Sequence, residues 1–323
     1  MADTRADTIE IVRHQPMGFT EFVIVIAAIM ALNPLAMDMM LPALPNIGAS
    51  FHIDVANRLQ TVLSAFVIGF GLGQFVIGPL SDSYGRRPVL IGGMVVYAIA
   101  SVFALAAPSF ELLLLARVLE GLGTAATRVI ATSIVRDCYA GRRMASVVSL
   151  AMMVFIAIPV IAPSFGQAVM LLTQWRGIFV VLTLYGIIAL LWTAARLPET
   201  LPENERKPFS VAEISASFRN TLTNRQTLGY ALAASGIFGA VLAYVLSSQQ
   251  LFTGVYHLGH YFPVAFAAIA VTIAIAGFLN ARLVGRLGMR VISHGALVGC
   301  VLIAMACFVT AILDVLPLWL FMT

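Results

Sequence analysis

Four ionisable side chains stand inside apolar runs that should exclude them. Asp38 lies in "ALNPLAMDMMLPALP", and Arg117, Glu120 and Arg128 lie in "LLLLARVLEGLGTAATRVIATSIVRD". A charged group at the centre of a membrane-spanning helix costs about 2.5–3.5 kcal/mol on insertion scales, so such a group faces a partner or a water-filled cavity. At roughly 100° per residue, positions 117, 120 and 128 fall within about a 90° sector of one helix. That makes one face of an otherwise apolar helix polar. Asp38 and Arg117 fall at similar depth and are candidate partners, directly or through water. Two blander readings compete: a snorkelling carboxylate at position 38, and an ion pair that only aids helix packing.

A second concentration of chemistry is "GPLSDSYGRRPVL", Gly78 to Leu90, between two apolar runs. Gly85 permits a tight turn. Asp82 can receive the positive end of a neighbouring helix or an arginine. Asp137, at the end of the run holding Arg117, is a candidate partner for Arg86. Together they could latch one side of the molecule shut, or Arg86 and Arg87 could serve only as a topology signal. "AIPVIAPSFGQ" places Pro159 and Pro163 on one helix face and adds Gly166. Each proline removes a backbone donor and the glycine admits a close neighbour, which predicts a bent, tightly packed helix. His257 and His260 are three apart, but no carboxylate or thiol accompanies them, so no metal is expected. No HExxH, GxSxG, Walker A or GxGxxG pattern occurs, so nothing argues for an intramembrane protease, a lipase or a nucleotide-driven pump, and no enzyme is expected.

The elements that hold these residues follow from composition. Of 323 residues, 60% are hydrophobic and 11% charged, whereas a water-facing surface needs about a quarter charged. Apolar runs near 19–42, 59–80, 88–107, 110–135, 146–171, 177–195, 227–250, 262–281 and 291–313 predict nine membrane-spanning helices. A tenth opens at Pro317 and the chain stops within it. The fold class expected is an all-α integral membrane protein. The first eighteen residues are too polar for a cleavable signal peptide. Cys138, Cys300 and Cys307 are scattered, which predicts packing residues and no disulfide framework.

Orientation follows from the arginines. With the N-terminus in the cytoplasm, inner segments hold Arg5, Arg13, Arg86, Arg87, Arg136, Arg142, Arg143, Arg196, Arg206, Lys207, Arg219, Arg225, Arg282, Arg286 and Arg290, and outer loops hold only Arg58 and Arg176. The +4 net charge therefore reports topology, not nucleic-acid binding. The polar stretch 196–226 follows six helices and carries Val211, Ile214, Phe218 and Leu222 at helical spacing. It reads as a linker with an amphipathic helix on the inner membrane surface. The predicted organisation is an N-terminal tail (1–18), a six-helix bundle (19–195), the linker (196–226) and a partial second bundle (227–323).

These residues resemble a family. Gly78, Asp82, Gly85, Arg86 and Arg87 match the G-x-x-x-D-x-x-G-R-[RK] loop of the major facilitator superfamily. Arg117 and Gly121 fit its R-x-x-Q-G pattern, with Glu120 in place of the usual Gln, and Pro159, Pro163 and Gly166 resemble the helix 5 motif of its antiporters. "DMMLPALP", "IVRDCYAG", "WRGIF" and "LPETL" look like its bicyclomycin and chloramphenicol resistance branch. The resemblance implies twelve helices, of which this chain lacks roughly the last three.

It also implies export of an amphipathic drug-like compound in exchange for protons across the bacterial inner membrane, by alternating access. The proton gradient is then the energy source, with no cofactor, and the molecule is a monomer in the bilayer. Asp38 is the first candidate for proton-coupled binding and Glu120 the second, with Arg117 and Arg128 beside them. Phe, Met and Leu from helices 1, 2, 4, 5 and 7 would line a broad apolar cavity. A proton-coupled importer of a small nutrient is the alternative on the same fold.

Overall fold

The computed structural model describes residues 17–53, 55–258 and 261–313. Arg5, Arg13 and the segment opening at Pro317 lie outside these residues. The described chain is helical throughout: α1 (Phe19–Asp38), α2 (Leu44–Phe51), α3 (Ala56–Leu59), α4 (Thr61–Tyr84), α5 (Arg86–Ala106), α6 (Phe110–Cys138), α7 (Gly141–Leu172), α8 (Arg176–Arg196), α9 (Val211–Thr223), α10 (Arg225–Gln250), α11 (Phe262–Leu287) and α12 (Met289–Ile312). Among the described residues, eight segments are long and apolar enough to cross a membrane. With α11, a further helix of 26 residues, the nine expected helices are all present.

Boundaries moved where local chemistry decides them. The first run continues past Asp38 through a tight turn, Leu41–Ala43, into α2, with Pro42 and Pro45 in first-turn positions where a missing N–H costs nothing. The run expected to end at residue 80 stays helical to Tyr84, and α5 begins at Arg86. The expected loop from Gly78 to Arg87 therefore shrinks to Gly85, with Gly78 and Asp82 inside α4. Gly85 stands at φ 99°, ψ 156°, a conformation open almost only to glycine.

The first six long helices form the core. α1 runs through its centre, with Phe22, Ile26, Leu32, Met39 and Met40 almost wholly buried. α6 makes the most extensive contacts, against α4 on one side and α5 on the other. Small residues permit this approach: a Cβ on Gly121 would run into the α4 backbone at Phe66 and Phe70, and one on Gly69 into the α6 backbone at Val118. Glu21, in the first turn of α1, takes Arg196 at the end of α8 through two bonds of 2.6 and 2.8 Å.

The later helices are more open. Every residue from 231 to 241 of α10 is exposed. Burial resumes only near its far end, where Ser248, Phe252, Phe262 and Phe266 are buried and α11 packs on α7. The two parts of the molecule thus meet at the end that bears Trp175 and diverge towards the end that bears Arg86. In α9 the amphipathic spacing is realised as a helix, and Phe218 packs on Phe75 of α4 with ring centroids 5.3 Å apart. Val211 and Leu222 stay exposed. Cys138 is buried, Cys300 exposed, and all three cysteines are free thiols.

Candidate functional site

Arg117 and Glu120 are both fully buried. One turn apart on α6, they pair through Arg117 Nη1 and Glu120 Oε2 at 2.7 Å. The Ser101 hydroxyl, from α5, donates to the other oxygen of Glu120. Arg117 gives two further donors to backbone: Nη2 to the carbonyl of Ala36 at 3.0 Å and Nε to that of Val62 at 3.3 Å. The Phe66 ring lies 4.6 Å beneath the guanidinium. One arginine therefore ties α6 to α1, α4 and, through Glu120, α5.

The expected pairing of Arg117 with Asp38 does not form. The reason is local. α1 stops at Asp38, and Met40 N–H donates to Met37, not to Ala36. The Ala36 carbonyl is one of the orphans that every helix end leaves, and the guanidinium takes it. Asp38 remains 4% exposed, and its side chain has no hydrogen bond or ion pair among the described residues. It turns inward, not toward lipid. Tyr244 of α10, whose ring stacks on Phe266 of α11 at 6.0 Å and 15°, lies within electrostatic reach of the carboxylate. Arg128 is half-buried further along α6 and takes no part in the Arg117–Glu120 pair.

Pro159 and Pro163 fall inside α7. Gly166 faces Met39, where an added Cβ would strike the backbone just past the end of α1. The proline-bearing helix thus closes on α1 one residue from Asp38. Gly78 has open space where a side chain would go.

A second network occupies the opposite end. Arg86 holds Asp82, Ser81 at 2.8 Å and Asp137 at 3.1 Å. Arg87 instead donates to the Ala194 carbonyl of α8 at 2.6 Å. The residue of this network missed from sequence is Glu199: its carboxylate accepts the backbone N–H of Arg86 at 2.9 Å and of Arg87 at 3.3 Å. Asp82 was expected to meet a helix end or an arginine. It takes the arginine, and Glu199 takes the positive end of α5. Glu199 also accepts from Thr200 and Leu201 N–H, and the Thr200 hydroxyl donates to Asp137 at 3.3 Å. Among the described residues this network joins the first bundle to the linker, with no member from α10, α11 or α12. Ser101 and Tyr244 had no signal of their own in sequence. Glu199 lay in a recognised motif, "LPETL", that carried no assigned role. His260 lies outside the described residues, so the His257–His260 spacing has no geometry here.

The profile described as Major Facilitator Superfamily matches residues 26–323. The uncharacterized MFS-type transporter YdgK of Bacillus subtilis is 32% identical over 279 residues, covering 85% of this chain and 68% of that protein. The bicyclomycin resistance protein homolog of Haemophilus influenzae is 29% identical, covering 91% and 74%. The multidrug resistance protein MdtL of Escherichia coli is 33% identical, covering 72% and 58%. Among solved structures, a bacterial homolog of the human lysosomal transporter Spinster is similar at TM-score 0.68 and 20% identity, covering 94% of this chain and 72% of that one. The D-xylose-proton symporter is similar at TM-score 0.64 and 15% identity, covering 93% and 78%.

Proposed function

The chain belongs to the Major Facilitator Superfamily, and from that premise we propose that it exports amphipathic drug-like compounds across the bacterial inner membrane in exchange for protons. The observation that carries this reading is Asp38, a buried carboxylate left without a partner among the described residues at the end of α1, within electrostatic reach of Tyr244 of α10. A lone acid in a low-dielectric setting is costly unless something visits it. A proton and a substrate are the two visitors that antiport requires. The names of the relatives, bicyclomycin resistance and multidrug resistance, support a drug as that substrate.

Each residue then has a task. Asp38 holds the proton or meets the substrate. Arg117, neutralised by Glu120, holds the end of α1 so that Asp38 stays in place. Gly166 lets α7 close against the same point. The halves rock about this level and expose it to each side in turn, driven by the proton gradient without a cofactor. The Arg86 end is the cytoplasmic one, because arginines gather there and the other end carries only Arg58 and Arg176.

The test is proton-driven drug uptake into inverted membrane vesicles from cells expressing the gene. Uptake should collapse with a protonophore and be lost in Asp38→Asn. Full activity in that variant would remove Asp38 from the mechanism. Growth on a panel of carbon sources without any drug phenotype would reverse the direction of transport.

A further inference from the structure

At the Trp175 end the two parts of the molecule are joined by three side-chain amides. Gln60, between α3 and α4, donates from Nε2 to Oε1 of Gln250 at 2.6 Å. Gln250 donates in turn from its own Nε2 to Oδ1 of Asn57 at 3.2 Å. A single side chain, the last of α10, thus bridges to two positions nearly two hundred residues earlier. It uses both functions of its amide, which fixes its orientation as one bond alone would not. The turn that follows, Leu251–Val255, is wound with π-type spacing, a widened geometry often found at functional sites in helices. Phe252 within it is fully buried and sits 6.1 Å from Phe262. Nothing comparable joins α10 to the first bundle along residues 231–241, where every residue is exposed.

We infer that Gln250 is the clasp of the gate at the Trp175 end, held by Gln60 and Asn57, and that the widened turn after it is where α10 and α11 swing when the gate opens. The inference rests on the transport reading above, because it supplies the step that admits one side of the membrane to Asp38. Tyr244 lies six residues before Gln250, about 9 Å along the helix, so releasing Gln250 frees the stretch of α10 that holds Tyr244, within electrostatic reach of the carboxylate. The clasp is uncharged, whereas the network at the other end is built from Arg86, Asp82, Asp137 and Glu199. The two ends therefore differ in their response to ionic strength: salt weakens the charged network, which ties the first bundle to the linker, and leaves the amides unaffected.

The experiment uses the whole chain with Cys138, Cys300 and Cys307 replaced by serine and a reporter cysteine at Met40, a buried position two residues from Asp38. A membrane-impermeant maleimide is added to whole cells. Gln250→Ala should label about tenfold faster than the parent, as expected for two net hydrogen bonds at a partly hydrated site. Gln250→Glu, which keeps the acceptor for Gln60 and loses the donor to Asn57, should fall between them. In a separate protein carrying Gln60→Cys and Gln250→Cys, oxidation should abolish Met40→Cys labelling and transport together, and reduction should restore both. Unchanged labelling in Gln250→Ala, or full transport through the oxidised pair, would overturn the clasp. Labelling that responds in a protein without drug transport would sink the transport reading and leave the gate standing.

Discussion

Arg117 donates to the carbonyl oxygen of Ala36 at 3.0 Å, two residues before Asp38 and across the contact between α6 and α1. The bond makes the guanidinium a cap for the end of α1, not a counter-ion for the acid beside it. It leaves Asp38, whose side chain has no hydrogen bond or ion pair among the described residues, at the tip of a helix whose position an arginine maintains.

Glu120 is what permits a charged cap in so dry a place. Glu120→Leu strands Arg117 as an unpaired buried charge and should destabilise by about 3–5 kcal/mol. Glu120→Gln keeps an acceptor for the guanidinium and should cost less. Ser101→Ala removes one bond to a charged group, about 1–3 kcal/mol. Thermal unfolding in detergent should rank the variants in that order. Equal midpoints for Glu120→Leu and the parent would mean that the pair is not buried as described.

Two glycines of recognised motifs have opposite surroundings. Gly121→Ala places a methyl against the α4 backbone at Phe66 and Phe70, forcing the two helices apart at a cost of about 1–3 kcal/mol. Gly78→Ala enters open space inside α4 and should be neutral or gain about 0.5–1 kcal/mol of helix stability. Yield of folded protein and melting midpoint check both.

Glu199 and Gly85 act on one junction. Glu199→Ala uncaps α5 and should cost about 1–2 kcal/mol, while loosening the linker. Limited proteolysis between residues 197 and 210 should accelerate. Gly85→Ala must leave φ 99° and clear Glu199, and should mimic that loosening at a cost of about 1–3 kcal/mol. A linker equally resistant in both variants would show that Glu199 does not hold it.

Arg86 reaches Asp82, Ser81 and Asp137 with one planar fork. Arg86→Lys cannot span the three and should raise hydrogen exchange in residues 80–86 and 134–140. Asp82→Asn removes a half-exposed partner, costs about 1 kcal/mol or less, and should loosen the Arg86 network only slightly. If Asp82→Asn changes neither transport nor thiol accessibility at that end, Asp82 has no part in gating.

Much of this protein is settled by its residues taken one segment at a time. Long apolar runs must become helices, because hydrocarbon satisfies no backbone group. Arginines gathered in alternate connections predict the order of crossings. A carboxylate inside such a run announces itself, since taking it out of water is costly there whichever neighbour later offsets the cost. Asp38, Arg117 and Glu120 were legible for that reason, as were Gly85 at a turn and the pairing of Arg86 with Asp137. Partner choice was not legible, because it depends on how far one helix slides along another. Only the packed structure decides that Arg117 meets a carbonyl of Ala36, that Ser101 supports Glu120, that Glu199 caps α5 from the linker, and that Gln250 closes on Gln60 and Asn57. Backbone oxygens and amides are present at every position, so sequence alone carries no mark of the few that a given register brings within 3 Å.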